Sequence, residues 1–139
     1  VAVKGSVEVD KGGIVPRAEY ARRPYGSVSL VRVIVPKEQS AFGYHSVRNS
    51  QTDVPVLTCA AAKTAGGFRV AIGARPGKAV LYTLQPNAVE TPELTAARFA
   101  AEVRANIRTE SNMRGSAEYR NHLAGVLVKR AVLKLEGNR

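Results

Sequence analysis

The chain has 139 residues, of which 45% are apolar and 23% charged, values typical of one folded domain with a short appendage. It carries 21 Lys and Arg against 11 Asp and Glu, a formal net charge of +10, so an anionic partner is a candidate. The single cysteine excludes an internal disulfide framework and any site built from several thiolates. One cysteine is compatible with the cytoplasm, where we expect the protein to reside. Its apolar runs are far shorter than the ~20 residues of a membrane span, and none is expected.

The first two thirds of the chain predict β-structure. Residues 1–26 hold a glycine pair and two prolines and predict an appendage with one strand and one helical turn. The β-branched run at residues 27–35 ends at Pro36 and predicts a strand. Further apolar runs predict strands at 41–48, 55–63, 68–73 and 78–84. Gly66 and Gly67 favour a hairpin between the second and third of these.

The last third predicts two helices. Thr91 followed by Pro92 is typical of a helix start, and an apolar repeat from Phe99 to Ile107 continues it. A second helix is predicted from Ser116 to Gly137, with Tyr119 in its inward stripe. Strands first and helices last indicate an α+β fold, in which an antiparallel sheet of about four strands carries the C-terminal helices on one face.

Candidate catalytic residues are few. Cys59 lies among apolar residues without a neighbouring base, which favours a buried thiol over a nucleophile. His45 and His122 have no Cys or acid at metal-ligand spacing, so no metal site is predicted. The segment 73–79 resembles a phosphate-binding loop, but its glycine spacing is one residue short and Ala79 cannot ligate magnesium. It is better interpreted as a turn.

The basic residues are scattered along the chain. Nucleic-acid modules concentrate such charge and interleave aromatic side chains for stacking. With no Trp, three Phe and five Tyr, this sequence argues against a nucleic-acid site. A basic binding module for nucleic acid or an acidic protein nevertheless stays open as the alternative function.

Two polar segments are less generic. Arg48 and Asp53 lie five residues apart in a predicted turn rich in Asn, Ser and Thr. They either brace one another or face a ligand. The second segment is the helix start Met113-Arg-Gly-Ser-Ala-Glu-Tyr-Arg120.

At these segments the sequence resembles the C-terminal domain of the flavin-binding (medium) subunit of molybdenum hydroxylases. That family includes carbon monoxide dehydrogenase, xanthine dehydrogenase and hydroxybenzoyl-CoA reductase. The segment from Met113 to Arg120 is similar to the family's R-G-S-x-E-Y-R helix, and Arg48 to Asp53 to its R-x-x-x-x-D segment. The resemblance covers about residues 27–135. Asn112 departs from the family, in which many members have an acid there, and Pro55 replaces a small alanine, which favours an edge or bulged strand at that point.

The resemblance implies a domain division and a function. Residues 27–139 are expected to form the flavoprotein C-terminal domain, and residues 1–26 to be a remnant of the preceding flavin-binding domain and its linker. The complete enzyme is expected to be an oxidoreductase, in which electrons pass from a molybdopterin large subunit through [2Fe-2S] clusters of a small subunit to FAD. This chain alone is expected to be inactive and not to bind FAD tightly.

The resemblance also implies cofactor-binding residues. Asp53 is expected to reach the flavin, with Arg48 as its charge-assisted brace. Arg75 and Lys78 are expected to supply positive charge near a reduced flavin.

Overall fold

The computed structural model describes residues 4–24, 26, 28–37 and 41–137. The chain divides into two compact units, and the division falls between residues 37 and 41. Among the described residues, no helix combines the length and the apolar composition needed to cross a membrane.

Unit 1 is a small three-stranded antiparallel sheet. It comprises β1 (Ser6–Val9), β2 (Gly13–Pro16), α1 (Arg17–Tyr20) and β3 (Leu30–Ile34). The strand order is β2-β1-β3. Val7, Val9 and Val15 are its buried core, against which Tyr20 and Val28 pack.

Unit 1 differs from the sequence expectation in two respects. The appendage contains two strands rather than one, and the strand predicted at 27–35 pairs with β1 rather than with the later strands. The described part of that strand is 30–34, while Ser27 lies outside the described residues. Because β3 is held by β1, the structure divides the chain after β3 and not at the expected boundary between residues 26 and 27.

Unit 2 has the predicted α+β architecture. Its strands are β4 (Phe42–Val47), β5 (Leu57–Thr64), β6 (Gly67–Gly73) and β7 (Val80–Leu84), which form an antiparallel sheet in sequential order. Two helices follow, α2 (Pro92–Asn106) and α3 (Ala117–Gly137). Pro55 lies before β5, which is an interior strand paired on both sides, so the expectation of an edge or bulge at Pro55 is wrong.

The core of unit 2 lies between one sheet face and the two helices. Alternate strand residues such as Leu57, Val70 and Ile72 pack with Phe99 of α2 and Leu127 of α3. Phe68 and Phe99 meet edge to face, with ring centroids 5.5 Å apart at 67°, a favourable aromatic geometry. The Thr91 side chain accepts a hydrogen bond from the Leu94 amide at 3.3 Å, which confirms the predicted cap of α2.

Candidate functional site at the loop end of unit 2

Three connections meet at one end of the four-stranded sheet. They are the β4–β5 connection (48–56), the β6–β7 connection (74–79) and the α2–α3 connector (107–116). The antiparallel registers place the first two at the same end. Hydrogen bonds described below tie both of them to the third. We call these three connections together the loop end.

Arg120 is the buried centre of the loop end. It lies in the first turn of α3, is 1% exposed, and donates to four acceptors. Its Nε bonds the Val56 carbonyl at 3.0 Å. One terminal nitrogen, Nη1, bonds the carbonyls of Glu110 and Gly115 at 2.6 and 2.5 Å. Its other terminal nitrogen bonds Asn112 Oδ1. A single guanidinium thereby joins the β4–β5 connection to the α2–α3 connector, using the fixed fork of donors that only arginine provides.

The start of α3 is built around this arginine. The Ser116 hydroxyl accepts from the Tyr119 amide at 3.1 Å and caps the helix. A Cβ on Gly115 would lie 3.1 Å from Val56 Cγ1, so glycine lets the connector approach the β4–β5 connection closely. Tyr119 is 45% exposed, and its predicted inward position is wrong. The buried stripe of α3 includes Arg120 in its place.

Asp53 pairs with a residue that the sequence analysis did not choose. Its Oδ1 accepts from Arg114 Nε at 3.2 Å and from the Val54 amide at 2.6 Å. Arg48 donates instead to the Asp53 backbone carbonyl at 3.3 Å. The residue that forms the charge-assisted pair with the carboxylate is therefore Arg114 and not the expected Arg48. The side chains of Arg114 and Asp53 are 33% and 28% exposed.

Arg75 connects the β6–β7 connection to the same connector. Its Nε donates to the Lys78 carbonyl at 2.8 Å, and Nη1 donates to the Arg108 carbonyl at 2.6 Å. Arg75 therefore braces the loop. Lys78 is half-buried in the same loop. All four predicted cofactor-binding residues thus belong to the loop end. The sequence did not predict the bonds of Asp53 to Arg114, of Arg48 to the Asp53 carbonyl, or of Arg75 to the Arg108 carbonyl.

The residues that sequence reasoning missed are Asn112, Arg114 and Arg120. The resemblance to the R-G-S-x-E-Y-R helix marked two of them without giving a role. A clearer signal lies in helical spacing, because Arg120 stands seven residues before the buried Leu127 and shares its face of α3.

The other candidates do not form a catalytic group. Among the described residues, no three His, Cys, Asp or Glu side chains are arranged to hold a metal ion. Burial is the main cause that lowers the pKa of His45, and the charges of Lys134 and Arg130 lower it further. The neutral form of its imidazole is therefore favoured at pH 7. Cys59 is completely buried, as predicted.

Cys59 is expected to be unreactive in the folded chain. Burial raises the pKa of its thiol to about 12, so almost no thiolate is present at mildly alkaline pH. Native protein mixed with Ellman's reagent should release no colour on the timescale in which denatured protein reacts fully. Equal rates for native and denatured protein would contradict the buried position.

The fold and the loop end together define a class of protein. It is an α+β domain in which two C-terminal helices cover a four-stranded sheet and a buried arginine organises one loop end, with no catalytic nucleophile identified among the described residues. Residues 42–135 match the model of the CO dehydrogenase flavoprotein C-terminal domain, and the chain belongs to that family. The resemblance noted in the sequence is thereby confirmed.

Solved structures share the fold. A carbon monoxide dehydrogenase from Hydrogenophaga pseudoflava, described as lacking the Mo-pyranopterin moiety of its cofactor, aligns with a TM-score of 0.81 at 20% identity over 99% of this chain and 54% of that chain. Quinoline 2-oxidoreductase from Pseudomonas putida 86 gives 0.75 at 19% identity, covering 96% of this chain and 52% of the other. Reconstituted CO dehydrogenase from Oligotropha carboxidovorans gives 0.70 at 18% identity, covering 99% and 54%.

The chain therefore spans about half the length of the solved relatives it matches. No curated protein matches it.

Proposed function

We propose that this chain is the C-terminal covering part of the FAD subunit of a molybdenum-containing oxidoreductase, and that its loop end helps to enclose the flavin. The observation that supports this most directly is the construction of the loop end. Arg114 and Arg120 of the family-specific segment bond the β4–β5 connection, which contains Arg48 and Asp53. The carbonyl of Arg108, in the α2–α3 connector, accepts from Arg75 of the β6–β7 connection, which also contains Lys78.

The chemistry of the loop end fits a flavin. Its three connections contain five cations and two carboxylates, a balance that favours an anionic ligand. Both hydrogen bonds to the Asp53 carboxylate use Oδ1. No residue of the described chain donates to Oδ2, so that oxygen can accept a hydrogen bond from a ligand N–H group. Asp53 would thus hold a donor group of the ring system, with Arg48 bonded to its backbone carbonyl. Arg75 and Lys78 would place positive charge near a reduced flavin.

FAD, when bound, accepts electrons and passes them to an acceptor. The electrons would come from a molybdopterin large subunit through the [2Fe-2S] clusters of a small subunit, and unit 2 would also contribute to docking those partners. Unit 1 would be a remnant of the preceding flavin-binding domain.

The 139-residue chain alone is expected not to bind FAD tightly. Its sequence contains no glycine-rich loop of the kind that presents several backbone amides to a pyrophosphate. Titration with FAD should give no saturable fluorescence change at low micromolar concentration. The complete subunit encoded by the gene should retain FAD through gel filtration. Saturable binding by the short chain would contradict the first expectation, and a complete subunit without flavin would contradict the proposed function.

The same preparations distinguish the alternative function. A stand-alone basic module should be retained on immobilised nucleic acid, and its affinity should fall steeply with salt as counterions are released. That result together with an absence of flavin would favour the alternative.

A further inference from the structure

The two oxygens of the Asp53 carboxylate differ in their hydrogen bonds. Oδ1 accepts from two donors, whereas no described residue donates to Oδ2. Oδ1 bonds the Val54 amide at 2.6 Å and Arg114 Nε at 3.2 Å. One donor is the next residue in the sequence, and the other lies in the α2–α3 connector. Together they fix the plane of the carboxylate and hence the direction in which Oδ2 can accept.

Arg114 is itself held firmly at its backbone. Its amide donates to Asn112 Oδ1 at 2.9 Å, and its carbonyl accepts from Asn49 Nδ2 at 3.3 Å. Asn112 Oδ1 also accepts from the buried Arg120. A continuous set of hydrogen bonds therefore runs from the core of unit 2 to the Asp53 carboxylate.

We infer that Arg114 is a positioning residue, anchored through Asn112 by Arg120, that directs the available oxygen of Asp53 toward the ligand of the loop end. The identity of that ligand as a flavin rests on the proposed function. The arrangement gives the R-G-S-x-E-Y-R segment a specific role. Its first arginine orients the carboxylate, and its last arginine supports the connector that holds the first.

Removal of the Arg114 side chain should have a local effect. The Arg114→Met change leaves both backbone bonds of residue 114 in place and removes only the ion pair with Asp53. Without the ion pair, the Asp53 carboxylate should no longer stay hydrogen-bonded to the Val54 amide. We therefore expect the hydrogen-exchange rate of that amide to rise about tenfold, which corresponds to the loss of roughly one hydrogen bond. NMR exchange on the 139-residue chain measures this at single amides.

Three controls separate orientation of the carboxylate from general loosening of the loop end. The Val56 amide, which donates to the Val47 carbonyl at 2.8 Å, belongs to the start of the sheet and should keep its rate in Arg114→Met. Arg130→Met removes an exposed arginine of α3 outside the loop end with the same change in net charge, and it should alter neither amide. Arg114→Lys retains the charge and should recover part of the Val54 protection.

The second measurement uses the complete subunit. Arg114→Met should weaken FAD binding about tenfold, a change of 1.4 kcal/mol, while Arg130→Met, which makes the same change in net charge outside the loop end, should change it less than about twofold. An unchanged Val54 rate, equal acceleration of Val54 and Val56, or unchanged FAD affinity in Arg114→Met would each overturn the inference. If the wild-type subunit holds no FAD, the proposed function fails, and the Val54 result alone then decides whether Arg114 orients Asp53.

Discussion

The Arg120→Met variant is expected to lose about 3–5 kcal/mol of its free energy of unfolding. Methionine has a similar length and good helix propensity, but it leaves the carbonyls of Val56, Glu110 and Gly115 without their shared donor. Arg120 is 1% exposed, so water replaces these bonds poorly. Since small domains are stable by only ~5–15 kcal/mol, the midpoint of urea unfolding should fall sharply. Circular dichroism at 222 nm follows this transition because α2 and α3 dominate the helical signal.

Arg130→Met is the matched control for this variant. Arg130 is exposed on the same helix, and the substitution makes the same change in charge. It should stay within about 0.5 kcal/mol of wild type. Arg120→Lys should retain only a small part of the stability, because an ammonium group cannot reproduce the planar fork of donors. Equal effects of Arg120→Met and Arg130→Met would show that the buried contacts of Arg120 contribute little.

Much of the fold follows from local patterns in the sequence. The strands of unit 2 and both long helices lie where alternation, Thr91 and the helical repeats predict them. These signals are local, since each depends on residues within one element and on a single buried face. The α+β class then follows from the order of the elements.

Pairing between strands distant in sequence could not be predicted in the same way. The β-branched run that forms β3 is compatible with either sheet, and only its partner β1 assigns it to unit 1. Nothing in the run itself distinguishes the two partners. For that reason the structure divides the chain after β3 rather than between residues 26 and 27.

The candidate site shows the same limit at the level of side chains. Helical periodicity counts apolar residues, so it favoured Tyr119 as the inward residue over the charged Arg120. The structure reverses this choice because four polar acceptors surround the guanidinium and compensate for its burial. Similarly, Arg48 is the nearest arginine to Asp53 in sequence, whereas Arg114, 61 residues away, reaches its carboxylate.

Phe99→Ala is expected to cost about 3–5 kcal/mol, since it creates a cavity where α2 meets the sheet. Phe99 is completely buried and supplies one ring of the edge-to-face pair with Phe68. Arg98 also lies over its ring, 4.7 Å from the centroid. The variant should therefore lose helical signal at much lower urea concentration than wild type.

The chain has three phenylalanines, and the third provides the control. Phe42 lies on β4 and is 70% exposed, so Phe42→Ala removes the same ring with little loss of packing and should cost well under about 1 kcal/mol. The difference between the two variants measures burial rather than the chemistry of the substitution. Nearly equal unfolding midpoints for the two variants would contradict the placement of α2 on the sheet. The positions of the α2–α3 connector and of Arg114 depend on that placement.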